Sequence, residues 1–134
     1  MSLEANKALA HRFHIEIFQE GKLEVADEIL SKDFVWRNPG FPPEMKPLRG
    51  PEGVKQMASA IMSAFPDLKI THHEEVAEGD KVLIRWSMTG TQKQEVLGKP
   101  ASNKQETVTG FDYFRISDGK IVEMWQYFGF GSWP

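Results

Sequence analysis

Residues 108–128 read VTGFDYFRISDGKIVEMWQYF, and the alternation in this stretch decides the fold. Val108, Gly110, Asp112, Phe114 and Ile116 fall on one face of an extended strand, where successive side chains point to opposite sides. Thr107, Thr109, Tyr113 and Arg115 take the other face. After Ser117-Asp118-Gly119 a second alternating run follows, with Val122, Met124, Gln126 and Phe128 on one side and Glu123, Trp125 and Tyr127 on the other. Two such runs joined by an Asp-Gly turn make an antiparallel hairpin with one apolar face. A three-residue loop that pairs Ile116 with Lys120 keeps both apolar faces together, and it sets Asp112 opposite Met124 with Gln126 one step along. A two-residue loop slips the register by one and brings Asp112 beside Trp125.

Working outward, the period of two extends back to Leu68. Strands are predicted near 68–77, 81–92, 104–116 and 120–128, the first two divided by Glu78-Gly79-Asp80. Before Leu68 the period is helical. Leu9, Phe13 and Ile17, with Ala10 beside them, give a helix over 3–20 that Gly21 ends. Leu23, Ala26, Ile29 and Leu30 make a shorter second helix. Asp33 to Asn38 reads as a short strand, and residues 39–50, with four prolines and two glycines, read as a loop. Gly50-Pro51-Glu52 opens a third helix, with proline preset at its first position and Val54, Met57, Ile61 and Phe65 as its stripe. Helices first and antiparallel strands after predict an α+β fold in one domain over 1–134, three helices packed on one face of a curved antiparallel sheet around a pocket.

Composition narrows the function. The chain has 134 residues, 40% hydrophobic and 26% charged, with a formal net charge of −3. That balance gives no basic footprint for phosphate, so no nucleic-acid partner is expected. There is no cysteine, which removes disulfides, thiolate metal sites and cysteine nucleophiles. No run approaches the roughly 18 apolar residues of a membrane span, and residues 1–6 lack the pattern of a signal peptide. A cytoplasmic protein without a membrane partner is the expectation. His72 and His73 are adjacent in a strand and point to opposite faces, and His11 and His14 stand three apart without a further ligand pattern, so no metal is expected.

Polar residues that interrupt apolar faces are the candidate site. Asp112 is the only charge on its face and Gln126 the only polar group on the other. A carboxylate on an apolar wall costs several kcal/mol if unpaired, and burial of that kind is how a carboxyl group becomes a general acid or base near neutral pH. The competing reading ties Asp112 to a backbone amide or to Arg37 or Arg85. Gln126, whose amide cannot take a proton, is an orienting group. Arg37, at the end of the first strand, and Arg85, within Val82–Trp86, are candidates to reach the pocket, with loop packing and surface snorkelling as their alternatives. Phe13 and Ile17 from the first helix, and Phe114 and Met124 from the hairpin, supply an apolar wall. The aromatic tail Gly129–Trp133 covers the pocket, covers a subunit interface, or frays.

Several short pieces occur in a characteristic order: Phe34-Val35-Trp36-Arg37-Asn38-Pro39, Gly50-Pro51-Glu52-Gly53, Phe65-Pro66-Asp67-Leu68, Ala77-Glu78-Gly79-Asp80-Lys81-Val82, Arg85-Trp86, Gly90-Thr91, Gly110–Ile116, Asp118–Glu123 and Trp125. Together they resemble the SnoaL-like polyketide cyclase family over almost the whole chain. The resemblance implies a cone-shaped fold of the nuclear transport factor 2-like, or ketosteroid isomerase-like, kind, dimeric in most members. It implies cofactor-free intramolecular aldol chemistry in which a pocket carboxylate removes a carbon-bound proton. Where many relatives have histidine this chain has Arg37 and Gln92, and where many have Trp-Asp it has Trp125-Gln126, which leaves Asp112 as the carboxylate on the pocket wall. The leading expectation is a lyase or isomerase acting on a small apolar carbonyl compound. Asp112 shuttles the proton, and Gln126 with Arg37 or Arg85 holds the enolate oxygen. The alternative is a non-catalytic small-molecule-binding or dimeric interaction module. Epoxide opening is weaker, because it needs a polar cluster to activate water. A homodimer is expected through the outer sheet face, where Thr109, Phe111, Tyr113, Trp125 and Tyr127 offer aromatic area.

Overall fold

The computed structural model describes residues 2–134. Helix α1 (Leu3–Arg12) is capped by Ser2, whose hydroxyl accepts from the Ala5 amide at 3.0 Å. It runs without a break into a π-helical segment over Phe13–Gln19, marked by the Glu20 amide reaching back five residues to the Ile15 carbonyl at 2.8 Å. The single helix predicted over 3–20 is therefore two kinds of helix end to end. The wider turn matters, because it lets Phe13 with His14, and then Ile17 with Phe18, all bury toward the sheet.

A short helix α2 (Val25–Ile29) leads directly into strand β1 (Leu30–Arg37), three residues earlier than the alternation suggests. Within the proline-rich stretch a two-residue strand β2 (Leu48–Arg49) pairs with Val35 and Trp36. Helix α3 (Gly50–Ala64) carries Pro51 in its first turn, and Val54, Met57 and Ala58 are buried on its inner face. The long strands β3 (Lys69–Glu78), β4 (Lys81–Thr91), β5 (Gln105–Ser117) and β6 (Lys120–Phe130) complete the chain.

The six strands form one curved, unclosed sheet in the order β2-β1-β6-β5-β4-β3. Every pairing is antiparallel except β1 with β6, which is parallel and makes the sheet mixed. The core fills the concave side. Phe13 sits at its centre, its ring 5.2–6.2 Å from those of Phe18, Phe34, Trp36 and Phe114. Truncating such a ring to alanine costs about 3–5 kcal/mol.

The β5–β6 hairpin corrects the predicted register. Its turn has two residues, Asp118 and Gly119, both at positive φ (52° and 75°), the geometry of a type I′ turn. Ser117 therefore pairs with Lys120 and Ile116 with Ile121. A bulge at Val122 then adds one residue to β6, so that Arg115 faces Glu123, Phe114 faces Met124 and Asp112 faces Gln126. Asp112 stands opposite neither Met124 nor Trp125. The bulge also exchanges Val122 for Ile121 on the inner face, where Ile121 is fully buried.

Candidate active site

Between the helices and the sheet lies a cavity of about 90 Å³ that opens to solvent. Its walls are Phe13 and Phe18 from the π-helical segment, Met57 and Ile61 from α3, Trp36 from β1, and Ile70, Trp86, Met88, Val108 and Phe128 from the later strands. Phe41 and Leu97 approach it from loops. Apolar side chains dominate this lining; the polar residues on it are His14 and Gln126.

Gln126 is held in one orientation. The Asn38 carboxamide oxygen accepts from the Gly40 amide at 2.7 Å, so its nitrogen faces the other way and donates to Gln126 Oε1 at 2.8 Å. Trp36 Nε1, which can only donate, meets the same oxygen at 3.3 Å. With its oxygen occupied twice, Gln126 has its amide N–H₂ left for a ligand. The Trp86 indole forms part of the wall, with its Nε1 buried and without a partner. The ring lies against Gly110, where an added Cβ would sit 2.6 Å from Trp86 Cζ2 and 2.5 Å from the Tyr127 carbonyl oxygen. Only glycine leaves room for this indole, so residue 110 sets the cavity floor.

Behind His14 stands Asp112, with no exposed surface. His14 Nε2 and Asp112 Oδ2 are hydrogen-bonded at 2.5 Å, and Asp112 Oδ1 has no partner. His14 Nδ1 is in turn 2.7 Å from His72 Nε2. Burial first, then the neighbouring His14, pushes the His72 imidazole down to about 3, so it is neutral at neutral pH. The result is a buried chain, Asp112–His14–His72, that runs from the sheet through the first helix to β3. Sequence reading placed Asp112 and Gln126 on neighbouring inner faces, and they are direct cross-strand partners. It set His14 aside, although His14 is buried beside Phe13 and carries the interaction with Asp112.

The other candidates divide by position. Phe13 lines the cavity, while Ile17, Phe114 and Met124 lie fully buried in the core behind the wall. Arg37 and Arg85 do not reach the pocket. Arg37 pairs with Trp125 across β1–β6 and donates to Glu123 at 2.9 Å with its guanidinium 5.2 Å over the Trp125 ring, on the outer face. Arg85, opposite Phe111, stacks 5.1 Å from the Trp133 ring, also outside. The aromatic tail folds over this outer face, where Trp133 Nε1 donates to the Trp86 carbonyl oxygen at 3.0 Å. Gln92 is fully buried and structural: its amide donates to the Gln94 and Lys99 carbonyl oxygens and accepts from Lys99 Nζ, which pins the 93–104 loop.

Among the described residues, no helix is long and apolar enough to cross a membrane. No curated protein matches the chain at a significant level. Among solved structures, TsrD from Streptomyces laurentii is similar at 29% identity with a TM-score of 0.80, over 96% of this chain and 90% of its own. A provisionally assigned polyketide cyclase from Acidithiobacillus ferrooxidans is similar at 27% identity with a TM-score of 0.78, over 96% and 91%. An NTF2-like protein from Burkholderia xenovorans, 20% identical with a TM-score of 0.73 over 96% and 92%, shares the fold. The sequence model of the SnoaL-like polyketide cyclases matches residues 8–130, which takes in every element that lines the cavity. The chain belongs to the SnoaL-like polyketide cyclase family.

Proposed function

We propose that this protein is a cofactor-free lyase or isomerase that moves a carbon-bound proton of a small, largely apolar carbonyl compound. Family membership supports chemistry of the cyclase or isomerase type. The observation that carries the reading is the buried His14–Asp112 pair set against an apolar cavity in which the Gln126 N–H₂ is left as a donor. In the proposed step His72 gives up its contact with His14 Nδ1, and that nitrogen takes the proton next to the substrate carbonyl while His14 Nε2 stays bonded to Asp112. His14 is the member on the cavity wall and Asp112 the carboxyl group behind it. The C–H electron pair moves into the carbonyl, and the enolate oxygen takes a hydrogen bond from the Gln126 N–H₂. The enolate then attacks a second carbonyl of the same molecule, closing a ring whose new alkoxide takes the proton back from His14, or is itself reprotonated at another carbon.

A second reading, an apolar small-molecule-binding module, is favoured by one observation: both ring nitrogens of His14 are engaged within the protein and Asp112 has no exposed surface. Hydrogen exchange separates the two without knowledge of the natural substrate. Cyclic ketones and 1,3-dicarbonyl compounds are screened by thermal shift, and those that bind are incubated in deuterated buffer and followed by NMR. Catalysed loss of the α-proton signal is expected, reduced about 10²–10⁴-fold in Asp112→Asn and His14→Gln while binding persists. Binding with no exchange above the buffer rate overturns the catalytic reading in favour of the module.

A further inference from the structure

Away from the cavity, His11, His72 and Glu75 each turn one ligand atom toward a common point, and the three atoms lie within 4.8 Å of one another. We propose that these residues form a binding site for a divalent transition metal of the zinc, cobalt or nickel kind. Strand alternation alone would put His72 and Glu75, three apart, on opposite faces. A bulge in β3 prevents this: His72 pairs with Trp86 and Glu74 with Arg85, so His73 is the extra residue. Glu75 thereby returns to the helix side with His72, and His11 of α1 lies above them, its ring 4.6 Å from that of His72.

Geometry and chemistry agree. His72 Nδ1 is 3.4 Å from Glu75 Oε1, too far apart and unaligned for a hydrogen bond, yet about the separation of two donors on a tetrahedral ion with bonds of ~2.0–2.2 Å. That nitrogen is buried without a hydrogen-bond partner on a side chain only 9% exposed, a costly arrangement unless something binds it. His11, by contrast, is exposed, so its ring is free to close the remaining ångström or so. Two imidazoles and one carboxylate are a donor set for zinc-like ions, with a fourth position open to solvent.

The far side of His72 is already fixed as a ligating histidine requires. Its Nε2 meets His14 Nδ1 at 2.7 Å, and His14 is anchored on Asp112. A metal on Nδ1 leaves the ring proton of neutral His72 on Nε2, directed at His14 Nδ1. His14 then keeps its own proton on Nε2, directed at Asp112. Occupancy would thus set the direction of every hydrogen bond in the buried chain. No residue of the site lines the cavity, and metal uptake is measured without reference to turnover.

The test uses the full chain without a histidine tag, stripped with chelator and titrated with Co²⁺ by visible absorption and with Zn²⁺ by calorimetry. One equivalent is expected to bind, with ligand-field bands of low-coordinate cobalt and a rise in melting temperature. His11→Ala and Glu75→Gln, both on the accessible side of the site, are each expected to weaken binding about tenfold or more with the circular dichroism unchanged. His73→Ala serves as the control: that side chain points outward to Ser87 and should leave binding intact. No uptake at one equivalent, or uptake that survives both His11→Ala and Glu75→Gln, overturns the proposal.

Discussion

Asp112→Asn and His14→Phe, made singly and together, measure whether the buried pair is an ion pair with a charge on Asp112. Asp112 has no exposed surface, one oxygen 2.5 Å from His14 Nε2 and the other without a partner. If the carboxylate is charged, asparagine replaces a charge-assisted bond of about 1.5–3 kcal/mol by a neutral one of about 0.5–1.5, a loss of about 1–2 kcal/mol. His14→Phe is worse, because it leaves the charge buried and unpaired, at about 3–5 kcal/mol. In the double variant nothing charged remains, and the cost falls to about 2–3 kcal/mol for an unsatisfied amide and an imperfect fit. The two single losses sum to about 4–7 kcal/mol, so a coupling of about 1–5 kcal/mol is expected. Denaturant unfolding at neutral pH reads this as a shift in midpoint at constant slope. Losses that add to within about 0.5 kcal/mol, or a His14→Phe no more damaging than Asp112→Asn, would show that Asp112 is not a buried charge. The proton-acceptor role would then fall with it.

Three further outcomes follow from other parts of the structure. Gly110→Ala places a Cβ within 2.6 Å of Trp86 and 2.5 Å of the Tyr127 carbonyl; it should cost about 1–3 kcal/mol and displace the indole that forms the cavity floor. Unchanged tryptophan fluorescence together with an unchanged melting temperature would contradict that packing. Leu97 reaches the cavity from a tight turn at φ 50°, so Leu97→Gly should relieve about 1–2 kcal/mol of backbone strain while weakening any cavity ligand, checked by thermal shift with and without ligand. Phe111, Trp125 and Tyr127 are 40%, 41% and 59% exposed on the outer sheet face, and that row is expected to bury against a second copy of the chain. Light scattering should give a dimer that Tyr127→Glu dissociates, and a monomeric wild type would remove the idea.

The architecture was legible because it rests on periodicity. The change from a period of 3.6 to a period of two near Leu68 gave the three helices and the long strands, since burial of one face imposes that pattern on the sequence directly. The inner positions of Asp112 and Gln126 followed from the same rule. Arg85 was a matter of parity as well: its β4 neighbours Ile84 and Trp86 are buried, which turns Arg85 outward. What periodicity does not record is a single added residue, and the polar groups meet at three such additions. The bulge at Val122 aligns Gln126 with Asp112, and the bulge at His73 returns Glu75 to the side of His72. The π-helical turn after Arg12 buries His14 beside Phe13, where a regular stripe of Leu9, Phe13 and Ile17 leaves it on the flank. Each addition costs a ladder or helix hydrogen bond. All three also place polar groups at or beside one chain, Asp112 to His14 to His72, which apolar packing alone does not require. They are what a fold does when the placement of particular polar atoms, rather than the burial of a face, is the constraint being met.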